Sequence, residues 1–242
     1  MRETPGKRMR RRLRLPRSAT PALPATALGY ATVFGWPILP GAGLAPARDR
    51  TVGAPVRRAG RDVRCGCPAP DCAQPGAHPF EPPLLASTTD ARMVAWWWER
   101  RPDAPVVLAT GGRGPSAVSL PAVAGVRALR RLDELGVRTG PVVATPDRWA
   151  LLVAPYSLAE LGELLNELEW VPPTLRFHGE GGYLALPGTV ATNGAGARRV
   201  RWERPPGAGA DGGAPWLPGI GSVIGELVAA GAALRPSEPG GR

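Results

Sequence analysis

All three cysteines of the chain and one of its two histidines fall within fourteen residues, Cys65-Gly-Cys67-Pro-Ala-Pro-Asp-Cys72-Ala-Gln-Pro-Gly-Ala-His78. The pattern is C-x-C-x4-C-x5-H, three soft thiolates and an imidazole, the donor set a tetrahedral structural zinc prefers. Cys65 and Cys67 are too close to bridge without strain, because a disulfide wants its Cα atoms about 5.5–6 Å apart with converging Cβ vectors. The first pair departs from the C-x2-C of a zinc knuckle. The competing reading is a loop of incidental cysteines in a reducing compartment. Gathering every cysteine beside a histidine favours metal, with Cys67, Cys72 and His78 as the firmest ligands and Cys65 as the fourth.

A chain of 242 residues, 43% hydrophobic, holds one generous domain or one domain with long extensions. Glycine and proline thicken at residues 16–24, 40–60 and 205–219, which read as loops or linkers. Eight of the 30 basic residues, but only Glu3 among the 20 acidic ones, lie within residues 1–17. The net charge of +10 therefore sits mainly in a basic tail, residues 1–24, read as disordered, while the rest is nearly balanced. Arg10, Arg11, Arg12 and Arg14 of that tail are candidates for nonspecific phosphate contact with DNA or RNA. The other reading is an extension without a role, since Lys7 is the only lysine and arginine richness goes with a high-GC bacterial genome.

Residues 7–17, Ala25–Leu39 and Leu44-Ala-Pro-Ala47 superficially resemble the three parts of a signal peptide. Gly29, Gly35 and Pro37 break the apolar part, which reads better as a helix over Ala25–Phe34 and a strand over Trp36–Leu39. Metal-type cysteine spacing argues against an oxidising compartment. No apolar run reaches the roughly 20 residues of a membrane span. The expectation is a cytoplasmic protein without membrane contact.

Downstream, Thr88-Thr-Asp90 caps a helix to about Arg101 that contains Trp96-Trp97-Trp98. Three consecutive tryptophans cannot share one face, so two are expected in the core and one over the metal loop; the alternative is a stacking platform for a base. Val106–Thr110 and Ala117–Leu120 read as strands, and Pro121 opens a helix carrying Val123, Val126, Leu129, Leu132 and Leu135 before Gly136. Strands follow at Pro141–Thr145 and Trp149–Val153. Ser157-x-x-Glu160 is a capping box for a helix over Leu158–Leu168. Leu175–His178 and Tyr183–Leu186 read as a hairpin around Glu180-Gly-Gly182, and a last helix covers Ser222–Leu234. The order β-α-β-β-α-β-β predicts an α/β (α+β) fold whose sheet core is ferredoxin-like, as in RNA-recognition domains, with an inserted zinc loop at 65–78. The domain boundaries expected are 25–190, followed by a Pro/Gly-rich segment 191–242 with a C-terminal helix.

Several segments, in order, resemble the bifunctional DNA primase/polymerase N-terminal domain, a branch of the archaeo-eukaryotic primases. Ala27-Leu-Gly-Tyr-Ala-Thr-Val-Phe-Gly-Trp-Pro-Ile-Leu-Pro40 is similar to its opening helix and "GWPVxP" strand. Cys67-x4-Cys72-x2-Pro-Gly-Ala-His78-Pro resembles its "C-x4-C-x2-PGKHP" zinc loop, with Ala77 in place of the lysine. Thr88-Thr-Asp90, the tryptophan run, Arg101-Pro-Asp-Ala-Pro and Val107-Leu-Ala-Thr-Gly111 follow its next conserved stretch, and residues 176–187 resemble its "RGDGGYVVAPPS" segment.

The resemblance implies two catalytic divalent metals, magnesium or manganese, held by an "LDxD" strand and a further acidic residue, with a nearby "SxH" histidine. Paired carboxylates are needed because two cations clamp the attacking and leaving oxygens of nucleotidyl transfer. At those positions this chain has Ser119, Pro121, Arg176 and, in the histidine turn, Arg148. One neutral hydroxyl does not hold magnesium. The expectation is a degenerate primase/polymerase-like protein that binds nucleic acid or a protein partner. The alternatives are an active nucleotidyltransferase with ligands displaced to Asp147, His178 and Glu180, and a zinc-stabilised interaction module outside replication. On the plainer view Glu180 serves a Gly-Gly turn and His178 is a satisfied sheet residue.

Overall fold

The computed structural model describes residues 23–46, 63–145, 147–192, 197–207, 209 and 212–233. The basic tail, with Arg10, Arg11, Arg12 and Arg14, lies outside these residues except for its last two positions, where the first helix begins. In chain order the elements are α1 (Leu23–Thr32), β1 (Ile38–Pro46), β2 (Val63–Cys65), β3 (Gly76–Pro79), α2 (Ala91–Arg100), β4 (Val106–Thr110), β5 (Ser116–Pro121) and α3 (Ala122–Glu134). There follow β6 (Val142–Ala144), β7 (Arg148–Val153), α4 (Leu158–Asn166), β8 (Arg176–His178), β9 (Gly182–Ala185), β10 (Val190–Thr192), β11 (Ala197–Arg199), β12 (Arg201–Arg204) and α5 (Ile224–Ala232).

The caps act as their residue types dictate. Asp90 accepts from the Met93 amide at 2.9 Å and starts α2, and Ser157 accepts from the Glu160 amide at 3.0 Å and starts α4. Gly136, at φ +68°, stops α3 in a conformation that L residues with a side chain rarely adopt. Pro121 stands one place earlier than the sequence predicts. It ends β5 as the N-cap of α3, and its ψ of 143° keeps it on the strand side. No helix among the described residues is long and apolar enough to cross a membrane.

Two larger antiparallel sheets form the body. The second has the order β12-β6-β7-β5-β8. Within it, β5-α3-β6-β7-α4-β8 is a βαββαβ unit with strand order β8-β5-β7-β6 and every neighbour antiparallel. This is the ferredoxin-like core that the element order predicts. Its faces alternate with the pleat: Val118, Leu120, Val142, Ala144, Leu151 and Val153 pack under α3, α4 and α5, while Ala117, Val143, Ala150 and Leu152 pack toward the first sheet. That first sheet has the order β2-β1-β4-β9, with β3 also on β1.

Three local expectations need correction. The stretch around Glu180 is not a hairpin: β8 pairs with β5 in the second sheet, and β9 pairs with β4 in the first. The turn is tight, with the Gly182 amide donating to the Gly179 carbonyl at 3.1 Å, but its arms diverge because each finds a longer partner strand elsewhere. On α3 the buried face is Ala124, Gly125, Ala128 and Leu132, whereas Val123, Val126 and Leu135 are exposed. A strict spacing of three walks around a 3.6-residue helix, while a spacing of four stays closer to one face. A Cβ on Gly125 would stand 2.7 Å from Trp149 Cβ, so close approach of helix and sheet selects small residues there. Of the tryptophans, Trp97 and Trp98 are core as expected, but Trp96 does not cover the metal loop; it lies exposed under the Arg100 guanidinium, 4.0 Å from the ring centre.

Candidate functional site

The Cys/His loop leaves the first sheet at the end of β2 and returns in β3, so Cys65 and His78 are brought together by the pairing of both strands with β1. The Sγ atoms of Cys65, Cys67 and Cys72 and a ring nitrogen of His78 all lie within 4.8 Å of one another. Cys65 Sγ is 3.1 Å from His78 Nε2 and accepts from the Gly76 amide at 3.2 Å. His78 Nδ1 lies 2.7 Å from the Pro79 carbonyl. A carbonyl only accepts, so Nδ1 carries the proton and the Nε2 lone pair faces the thiols, the orientation seen in metal-bound histidines. Burial alone would raise the Cys65 thiol, but hydrogen bonds from the Cys67 and Gly76 backbone, and from the Cys67 and His78 side chains, hold it at about 7. Cys72 is pushed up to about 11, first by burial and then by Cys65 and Cys67. Thiolates gathered this tightly resist ionising together unless a cation joins them. The donors fit a four-coordinate metal held by three sulfurs and one nitrogen, a closed structural site with no position for substrate.

Beside this loop opens a cleft of about 380 Å³ between the two sheets. Ser119, Arg176, His178 and Arg148 reach it from three neighbouring strands of the second sheet, Tyr183 from β9, and Gln74 from the Cys/His loop. The register explains the grouping. Ser119 is directly opposite Arg176 and Ala117 opposite His178, while Ala150 is opposite Ser119 on the other side. Thr110 Oγ1 donates to the Gly179 carbonyl at 2.8 Å, fixing the turn that carries His178. Gly111, at φ +77°, lets that turn approach; a Cβ there would lie 2.4 Å from the Glu180 amide nitrogen. Tyr183 donates to Gln74 Oε1 at 3.0 Å, so the Cys/His loop is itself a wall of the cleft.

One network fills the floor. Arg148 Nη2 donates to the carbonyls of Ser119 at 2.7 Å and Thr174 at 2.8 Å, and Nε and Nη2 reach Ser119 Oγ at 3.3 and 3.2 Å. Ser119 Oγ is 2.9 Å from His178 Nε2. Burial pushes the His178 imidazolium down to a pKa of about 4, Arg148 and Arg176 adding to it against a hydrogen bond to the Tyr183 backbone. Burial, and then Arg176, also lower Arg148, with Asp147 acting the other way.

Asp147 lines the cleft but is exposed, and its Oδ1 accepts from Thr145 Oγ1 at 3.1 Å. Glu180 is exposed on the β8–β9 turn and outside the lining, and Pro121 sits at the end of β5 opposite Arg148, also outside it. Among the described residues, the Cys/His loop is the one place where three or more metal-ligating side chains converge. Sequence reasoning missed the Ser119–His178 bond, the Thr174 carbonyl that holds Arg148, and the Gln74–Tyr183 link. Each joins positions far apart in the chain that pattern alone does not connect.

A family model described as bifunctional DNA primase/polymerase, N-terminal, matches residues 27–216. No curated protein and no solved structure matches the chain.

Proposed function

Given that the chain belongs to the bifunctional DNA primase/polymerase N-terminal family, we propose that it is a catalytically degenerate member that binds nucleic acid rather than extending it. The observation that carries this reading is the Arg148–Ser119–His178 network beside Arg176. On the resemblance, Ser119, Pro121 and Arg176 stand at the three metal carboxylates and Arg148 in the histidine turn. Two divalent ions placed against two guanidinium groups, with the exposed Asp147 as the nearby carboxylate, face repulsion that nothing local offsets. The Cys/His loop, with zinc as its fitting occupant, shapes one wall of the cleft and takes no part in chemistry. Arg10, Arg11, Arg12 and Arg14 would add nonspecific phosphate contact.

The expected result is no primer synthesis and no primer extension with magnesium or manganese. Restoring Ser119→Asp and Pro121→Asp does not rescue activity while Arg176 remains. The second reading, relocated ligands, draws on Asp147 and His178 sharing the cleft lining. Template-dependent extension by the unmodified protein, lost on Asp147→Ala or Glu180→Ala, would establish it in place of the first.

A further inference from the structure

Arg148 and Arg176 present two guanidinium groups to the same cleft, and neither forms an ion pair among the described residues. The Arg148 plane is fixed by its bonds to Ser119 and Thr174, which leaves Nη1 without a hydrogen bond among those residues. The Arg176 side chain, exposed at the edge of the cleft, makes no hydrogen bond among them. The lining carboxylate, Asp147, is exposed and engaged with Thr145. A half-buried cation held in place beside a second cation is costly alone, and an oxyanion seated between them removes that cost. Guanidinium forks match phosphate oxygens in shape and in charge. The cleft, at about 380 Å³, is in the size range of small-molecule sites and far larger than one phosphate needs.

We propose that this cleft binds a terminal phosphate directly between Arg148 and Arg176, without a divalent cation, the phosphate being carried by a nucleotide or by the end of a nucleic-acid strand. The inference rests on the degenerate reading, because it gives the guanidinium groups the place that metal ions would otherwise take. Divalent cations then compete with the protein for the phosphate instead of bridging to it.

The test uses the full chain in chelator at about 150 mM salt, where contacts through exposed charges are damped. A thymidylate octamer with a 5′-phosphate is compared with its 5′-hydroxyl form by fluorescence anisotropy, and dTTP with thymidine by calorimetry. At least one phosphorylated probe is expected to bind at least about tenfold more tightly than its counterpart. Arg148→Met and Arg176→Met each abolish the difference, and added magnesium weakens binding. Should the Arg148 variant fail to fold, the Arg176 variant keeps the test, since its exposed side chain makes no hydrogen bond or ion pair among the described residues. If dTTP displaces the phosphorylated octamer, both ends use the cleft; if a single probe binds, that probe names the source. Equal binding of phosphorylated and unphosphorylated probes, or a preference that survives Arg176→Met, overturns the inference and leaves the degenerate reading standing. Binding that appears only with magnesium or manganese overturns it too, and primer extension under those conditions overturns both.

Discussion

At Ser119 a single hydroxyl serves two neighbours, and the direction of its proton sets the chemistry of the cleft floor. Arg148 only donates, so the Ser119 oxygen accepts from it and sends its own proton to His178 Nε2. That direction requires a neutral imidazole, in keeping with a pKa of about 4 caused by burial and then by Arg148 and Arg176. The consequence for stability has a definite sign. Between pH 6.5 and about 4 the unfolded chain protonates this histidine while the folded chain does not, so stability falls as pH drops through that window and is unaffected above it. The penalty is about 2 kcal/mol near pH 5. Comparing denaturant unfolding near pH 7 and near pH 5 should show a smaller acid loss in His178→Gln than in the parent. Taking the difference removes the acid sensitivity of the Cys/His loop, which both proteins share. Equal losses would mean that His178 titrates normally.

The convergence of the Cys/His loop was legible because its signal is local: three cysteines and a histidine fall within fourteen residues, and their side chains meet in the fold. The loop's second role, as a wall of the cleft, was not, since the Gln74–Tyr183 bond spans 109 positions. The same limit explains the stretch around Glu180. Its glycines announce a turn, but which sheet each arm joins depends on β4 and β5, 57 to 78 positions upstream. On α3 the apolar letters recur every three residues and walk around the helix, while close packing against Trp149 selects small residues on the buried face. For the loop, purified protein is expected to carry about one zinc per chain, measured by elemental mass spectrometry, and Cys72→Ser to lose it. Hydrogen exchange across residues 66–78 should then rise sharply while β5 and α3 stay protected, because the loop has little apolar packing of its own. A metal-free preparation with unchanged exchange would remove the ion from the account.

Across the whole molecule, the fold class followed from the order of elements. The ferredoxin-like unit needs only a βαββαβ succession with antiparallel neighbours, and caps, glycine stops and strand runs mark that succession in the sequence. Its partner sheet was less visible, because β1, β4 and β9 are separated by long stretches that include the metal loop. Described parts of residues 191–242 also build onto the body: β12 extends the second sheet beside β6, and α5 packs on the helix side of that sheet. Trp202 donates to the Tyr30 hydroxyl at 3.2 Å, tying β12 to α1. Charge is distributed differently from structure. Eight basic residues fall within residues 1–17, outside the described residues, while the remaining sequence is nearly balanced. Contact with about seven phosphates predicts a fall in DNA affinity of roughly 10³–10⁵ between about 50 and 200 mM salt. Deleting residues 2–17 should flatten that dependence and remove most low-salt binding to single-stranded DNA, while any preference for a 5′-phosphate survives because it belongs to Arg148 and Arg176. If the truncated chain keeps the full affinity and the full salt slope, the nonspecific contacts lie on the folded domain, and the arginines at positions 10, 11, 12 and 14 have no part in them.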